Sequence, residues 1–147
     1  MTGRVAIITG AGSGIGRAAA LAFGARGYRL VLAGRRVGAL DETIDLLGPT
    51  AARAIACAAD VADATSVQAL FDCAVRQFGR IDLLFNNAGI SAQNAPIYAV
   101  DEGDWRRVID VNLTGAFLCL RAAFRAMKDQ APRGGRIINN GSIAATS

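Results

Sequence analysis

Histidine is absent from this chain, lysine occurs once, at Lys128, and cysteine occurs three times. The lack of histidine excludes zinc sites of mixed Cys/His ligation. Cys57, Cys73 and Cys119 are odd in number and far apart, so a disulfide framework is not expected. Each falls in an apolar segment, where a buried free thiol is the plain reading. No apolar run approaches the length of a membrane span, and no basic stretch followed by an apolar core opens the N-terminus. A cytoplasmic protein with no membrane partner is the expectation. The net charge of +4 is carried almost wholly by arginine, scattered except at Arg35-Arg36 and Arg106-Arg107. Nucleic-acid binding asks for a clustered basic stripe or a known module, and neither is there.

What the chain does have is apolar substance: 52% hydrophobic residues against 19% charged, the balance of an ordered α/β domain. Its 147 residues suffice for one core and not for two. No repeat, low-complexity tract or linker divides them, so residues 1–147 are read as one domain. Candidate strands at 5–9, 30–33, 54–57, 83–86 and 136–140 alternate with helical stretches near 15–26, 37–47, 64–78 and 101–127. That order implies parallel strands with crossover helices on both faces. The strands are apolar on consecutive residues, as strands buried on both sides should be. In the last helical stretch Val108, Val111, Gly115, Leu118 and Ala122 mark one apolar line, and Leu113, Phe117, Leu120 and Phe124 a second. Such a helix packs on the sheet and on something else. Asp101, with Asp104 three residues on, is its expected start.

The segment Thr9-Gly10-Ala11-Gly12-Ser13-Gly14-Ile15-Gly16 joins the first strand to the first helix. A strand, a glycine turn and a helix N-terminus together can hold a dinucleotide pyrophosphate. Gly10 turns the chain off the strand, Gly14 lets the backbone approach the phosphates, and Gly16 lets the helix pack closely. Gly12 is an additional glycine, and Ser13 and the Ile15 amide are the expected phosphate contacts. After the second strand comes Gly34-Arg35-Arg36, where dinucleotide folds of the NAD type carry an acid on the adenosine ribose. Two guanidinium groups without that acid suit a 2′-phosphate, so NADP(H) is the expected cofactor and NAD(H) the alternative. Asp60-Val61 follows the third strand, at the expected adenine edge, although Asp60 would equally serve as a helix cap. Asn86-Asn87-Ala88-Gly89 follows the fourth. Its small residues allow close approach to a ribose, and its paired amides can tie adjacent strands.

Together with Val111-Asn112 and Gly141-Ser142, these segments resemble, in order and spacing, the short-chain dehydrogenase/reductase family over essentially the whole chain. The resemblance implies a doubly wound parallel sheet of Rossmann type that ends here after the fifth strand. It also implies hydride transfer between a nicotinamide cofactor and a small-molecule carbonyl or alcohol, in a homodimer or homotetramer. Asn112 and Ser142 correspond to two of the family's active-site residues. The Asn112 backbone carbonyl would hold a water of the proton relay, and the Ser142 hydroxyl would hold the substrate oxygen. Asn112 belongs to the cofactor-binding set as well, beside Asn87, Ala88 and Gly89.

The family's Tyr-x-x-x-Lys acid/base is not found: Tyr28 and Tyr98 lie upstream of Ser142, and neither has a lysine four residues on. The chain is therefore expected to be the N-terminal part of a longer reductase, and inactive alone. A catalytically silent dinucleotide-binding module or scaffold is the alternative, and a nucleoside-sugar epimerase on a related fold is less favoured by the Asn-Asn-Ala-Gly segment. Substrate specificity is legible only in Ala144 and the stretch 91–98, and the direction of reaction is open.

Overall fold

Parallel strands buried on both faces need apolar side chains at every position, and the five short runs supply them. In the computed structural model, which describes residues 3–142, they form β1 (Val5–Thr9), β2 (Arg29–Gly34), β3 (Ala54–Ala58), β4 (Leu83–Asn86) and β5 (Arg136–Asn139). The sheet is wholly parallel, in the order β3-β2-β1-β4-β5. Ile7 stands opposite Val31 on one side and Leu84 on the other, so β1 is the central strand.

The pleat divides the side chains between two core layers. Val5, Ile7, Val31, Ala33 and Leu84 pack with residues of α3 (Ala64–Phe78) and α5 (Ala116–Asp129). Ala6, Ile8, Leu30, Leu32 and Leu83 pack on the other face with α1 (Gly14–Ala25) and α2 (Val37–Leu46). With burial worth about 1.5–3 kcal/mol for each large aliphatic side chain, these layers hold the strands in register.

Helix boundaries follow local chemistry. Asp63 caps α3 by accepting from the Thr65 and Ser66 amides, and Gly79 ends it at φ +79°. The capping role considered for Asp60 thus belongs to Asp63, while the Asp60 carboxylate accepts from the Ala62 amide. Asp101 caps α4 (Glu102–Ile109) through the Asp104 amide, as its spacing predicts.

The helix expected over 101–127 runs without a break from α4 (Glu102–Ile109) into α5, but its middle turn departs from α-helical spacing. Between α4 and α5, residues Asp110–Gly115 form a π-helical turn. Side-chain bonds link it to segments outside the helix: Asn112, within the turn, grips the backbone of Ile90, and Asn86 donates to the Ala116 carbonyl. Gly115 passes so close to the third-strand loop that a Cβ there would lie 2.8 Å from Val61 Cγ2.

The two apolar lines separate in part, with Val108 and Val111 of the first and Leu120 of the second all half-buried. Gly115, Leu118 and Ala122 are buried, whereas Leu113, Phe117 and Phe124 are 54–64% exposed. Among the described residues β5 has no strand on its outer side. No helix among them is long and apolar enough to cross a membrane.

Candidate functional site

Strand order reverses beside β1: β2 and β3 lie to one side, β4 and β5 to the other. Where crossovers diverge in this way, the carboxyl ends of the strands leave a crevice. Here it has a volume of about 650 Å³, well within the range of ligand sites. Its walls bring together Gly10, Gly12, Ser13, Gly14 and Ile15 from the first turn and Arg35-Arg36 from the end of β2. Asp60-Val61 after β3 and Asn87, Ala88 and Gly89 after β4 add to them. These segments are scattered along the chain from Gly10 to Gly89, and only the sheet joins them.

The glycines of the first turn serve different needs. Gly10, at φ +66°, turns the chain, and a Cβ on it would sit 3.0 Å from Asn87 Nδ2. Gly16 is buried beneath the turn instead of lining it: a Cβ there would overlap the Gly10 carbonyl group and lie 2.8 Å from Asn87 Nδ2. A Cβ on Gly12 would lie 3.0 Å from Ala39 Cβ of α2. Gly14 is different. It holds φ +52°, and a Cβ there would have no atom within 4 Å and would face open crevice.

The turn delivers positive potential into that space. Ser13 is the N-cap residue of α1 but makes no side-chain cap bond, and no acidic residue stands in the first turn. Arg35 and Arg36 are exposed, and neither side chain has an ion-pair partner among the described residues. The arginine nearest in role, Arg17, is by contrast fully engaged. It bonds Thr43 Oγ1 at 3.0 Å, the Gly12 carbonyl at 2.7 Å and Glu42 at 2.9 Å, pinning the turn against α2.

The other wall is held by amides. Thr9 Oγ1, wholly buried, accepts from both the Asn87 and Ala88 N–H groups at 2.9 Å. Asn87 Nδ2 donates to the Thr9 carbonyl, and its Oδ1 accepts from Asn140 Nδ2. Buried Asn86 donates to Asn139 Oδ1 as well as to Ala116. The paired asparagines thus tie β1, β4 and β5 together at their carboxyl ends.

Asn112 does not line the crevice. Its Oδ1 accepts from the Ile90 amide and its Nδ2 donates to the Ile90 carbonyl, both at 2.8 Å, so its side chain clasps the segment following Gly89. Ser142 is exposed and follows β5 by three residues. Ala144, a candidate for specificity, lies outside the described residues, and 91–98 is exposed.

The short chain dehydrogenase family model matches residues 4–147. The chain belongs to the short chain dehydrogenase family. It is 43% identical to cis-4-hydroxycyclohexanecarboxylate dehydrogenase of Sinomonas cyclohexanicum over 95% of this chain and 55% of that protein. It is 41% identical to a 3-oxoacyl-[acyl-carrier-protein] reductase of Synechocystis sp., over 98% of this chain and 58% of that one. Among solved structures, NAD+-bound xylitol dehydrogenase superposes with a TM-score of 0.93 at 36% identity, over 99% of this chain and 55% of that one. This short chain dehydrogenase chain therefore spans little more than half the length of the relatives it matches.

Arg17, Thr43 and Asn140 are supporting residues that motif reading missed, as is the part played by Thr9, which opens the glycine segment. Thr9 and Thr43 carried a signal: each is a polar residue in an otherwise apolar buried line. Arg17 and Asn140 carried none, because their partners are distant in sequence.

Proposed function

We propose that residues 1–147 are one dinucleotide-binding domain of a cytoplasmic, NADP(H)-preferring oxidoreductase that interconverts a small-molecule carbonyl and alcohol. The observation that carries the cofactor reading is the unpaired Arg35-Arg36 at the crevice mouth, with Gly34 where a ribose-binding acid would stand. Charged donors without a counter-ion are suited to a ligand anion, and the 2′-phosphate is the one that distinguishes the two cofactors.

The residues present fit the cofactor. Gly10, Gly12, Gly14 and the amide of Ile15, with Ser13, would take the pyrophosphate at the start of α1. Gly16 would keep that helix close to the turn. Asp60 would accept from the adenine amine beside Val61, and Asn87, Ala88 and Gly89 would lie along the ribose. The bound nicotinamide supplies the hydride acceptor or donor. The chain's own part in the chemistry is to orient: Ser142 would hydrogen-bond the substrate oxygen, and the Asn112 backbone carbonyl would hold a relay water. A π-helical turn supports this reading of Asn112, since the longer hydrogen-bond spacing disturbs carbonyl pairing along the helix.

The relatives named above, a hydroxy acid dehydrogenase, an oxoacyl reductase and a polyol dehydrogenase, share an alcohol or ketone carbon and support the substrate class. Exposed Leu113, Phe117 and Phe124 support assembly as a homodimer or homotetramer.

The test is Arg35→Asp in the intact protein, titrated with NADPH and NADH. Losing one charge-assisted bond at about 1.5–3 kcal/mol lowers NADPH preference by about ten- to a hundredfold. An unchanged preference would remove Arg35 from the phosphate site. Turnover of a carbonyl substrate by the same protein separates the oxidoreductase from a silent cofactor-binding module.

A further inference from the structure

Cys57 and Cys73 are sixteen residues apart in sequence, on β3 and α3, yet their Sγ atoms lie 3.3 Å apart. Cys57 is buried under the helix, while Cys73 is partly exposed. Cys119 is buried in the same core layer with no sulfur partner among the described residues. Burial, reinforced by the hydrogen bond to Cys73 and by the charge of that neighbour, pushes the Cys57 thiol up to about 12. Burial alone pushes Cys119 equally high. Both stay protonated at neutral pH, and the exposure of Cys73 makes it the sulfur that meets an oxidant first.

We propose that Cys57 and Cys73 are a dithiol site that peroxide converts into an intramolecular disulfide linking α3 to β3. The Cys73 sulfur attacks one peroxide oxygen and the O–O bond breaks; the leaving hydroxide takes the proton that the Cys73 thiol gives up, so a sulfenic acid and a water result. Cys57 sulfur then attacks Cys73 sulfur; the S–O bond breaks, and the departing hydroxide leaves as water with the Cys57 proton. Two thiols are oxidised by two electrons, and one peroxide is reduced to two waters. The sulfurs need to close by roughly 1.2 Å to reach disulfide length. The site rests on this geometry alone and is independent of the cofactor reading.

The experiment treats the intact, reduced protein with hydrogen peroxide, followed by trypsin and mass spectrometry. Arg53 and Arg76 place both cysteines in one tryptic peptide, residues 54–76. The expected product is that peptide lighter by two hydrogens, reverting with dithiothreitol, with Cys119 still a free thiol. Cys119→Ala should form it to the same extent, and Cys73→Ala should not form it at all. If Cys73→Ala fails to fold, Cys57→Ala serves, with Cys73 then accumulating oxygen. Oxygen addition to the wild-type 54–76 peptide without hydrogen loss, or a disulfide between chains, would overturn the proposal.

Discussion

The first turn contains two glycines whose replacement by alanine should fail for opposite reasons. At Gly16 the new methyl group would meet the Gly10 carbonyl group and Asn87 Nδ2, both parts of the framework that joins β1 to β4. Neither is the free end of a flexible side chain, so the backbone has to move, at about 3 kcal/mol or more. With a urea m-value of about 1.5–2 kcal/mol/M, the midpoint should fall by about 1.5–2 M. At Gly14 no atom lies within 4 Å of the added methyl, and the cost is confined to the left-handed φ of +52°. That cost is about 1–2 kcal/mol, or about 0.5–1.3 M in urea midpoint. The methyl at Gly14 would point into the space assigned to the cofactor, so Gly14→Ala should lose at least about tenfold in NADPH affinity while staying folded. The assays are urea denaturation followed by tryptophan fluorescence of Trp105, and NADPH titration of each folded variant. Gly14→Ala binding NADPH with unchanged affinity would refute the placement of the pyrophosphate. Gly16→Ala with an unchanged midpoint would refute the packing argument.

Two further outcomes concern the framework. Asp82 accepts from the Val5 amide and takes a forked ion pair from Arg80; burial works to raise its pKa, but the Arg80 and Val5 hydrogen bonds outweigh it and hold the carboxyl below its usual value. A depressed pKa stabilises the fold above the unfolded-state value of about 3.9 and is lost as pH falls through the folded value. Wild type should therefore lose stability steeply below about pH 4, and Asp82→Asn should show a flatter acid limb in pH-dependent urea melts, a parallel limb counting against the assignment. Thr9→Val removes the one acceptor shared by the Asn87 and Ala88 amides. Stability should drop by about 2–3 kcal/mol, with faster hydrogen exchange at those two amides as the readout; unaltered exchange would show that Thr9 Oγ1 does not hold the loop.

The sequence alone determined the parallel α/β architecture, because consecutive apolar residues bounded by turns leave a strand no face to expose to water. It also determined the glycine turn, whose residues are constrained by backbone conformation within a single segment, and the Asp101 cap, which spans three residues. The exposed line of Leu113, Phe117 and Phe124 was legible for the same reason, being a pattern along one helix. The tertiary structure decided what depends on partners far apart in the chain. Arg17 and Thr43 support the turn across the α1–α2 crossover, and Asn140 reaches Asn87 from the loop after β5. The π-helical turn escaped the apolar periodicity because the pattern runs through Asp110–Gly115 without interruption, while the bonds beside it come from Ile90 and Asn86. The Cys57–Cys73 approach was hidden likewise, since two thiols in separate apolar segments become neighbours only when α3 crosses back over β3. Short-range patterning follows from steric and hydrophobic rules that act within a few residues, whereas these contacts exist only after sheet order and register have fixed which distant segments meet.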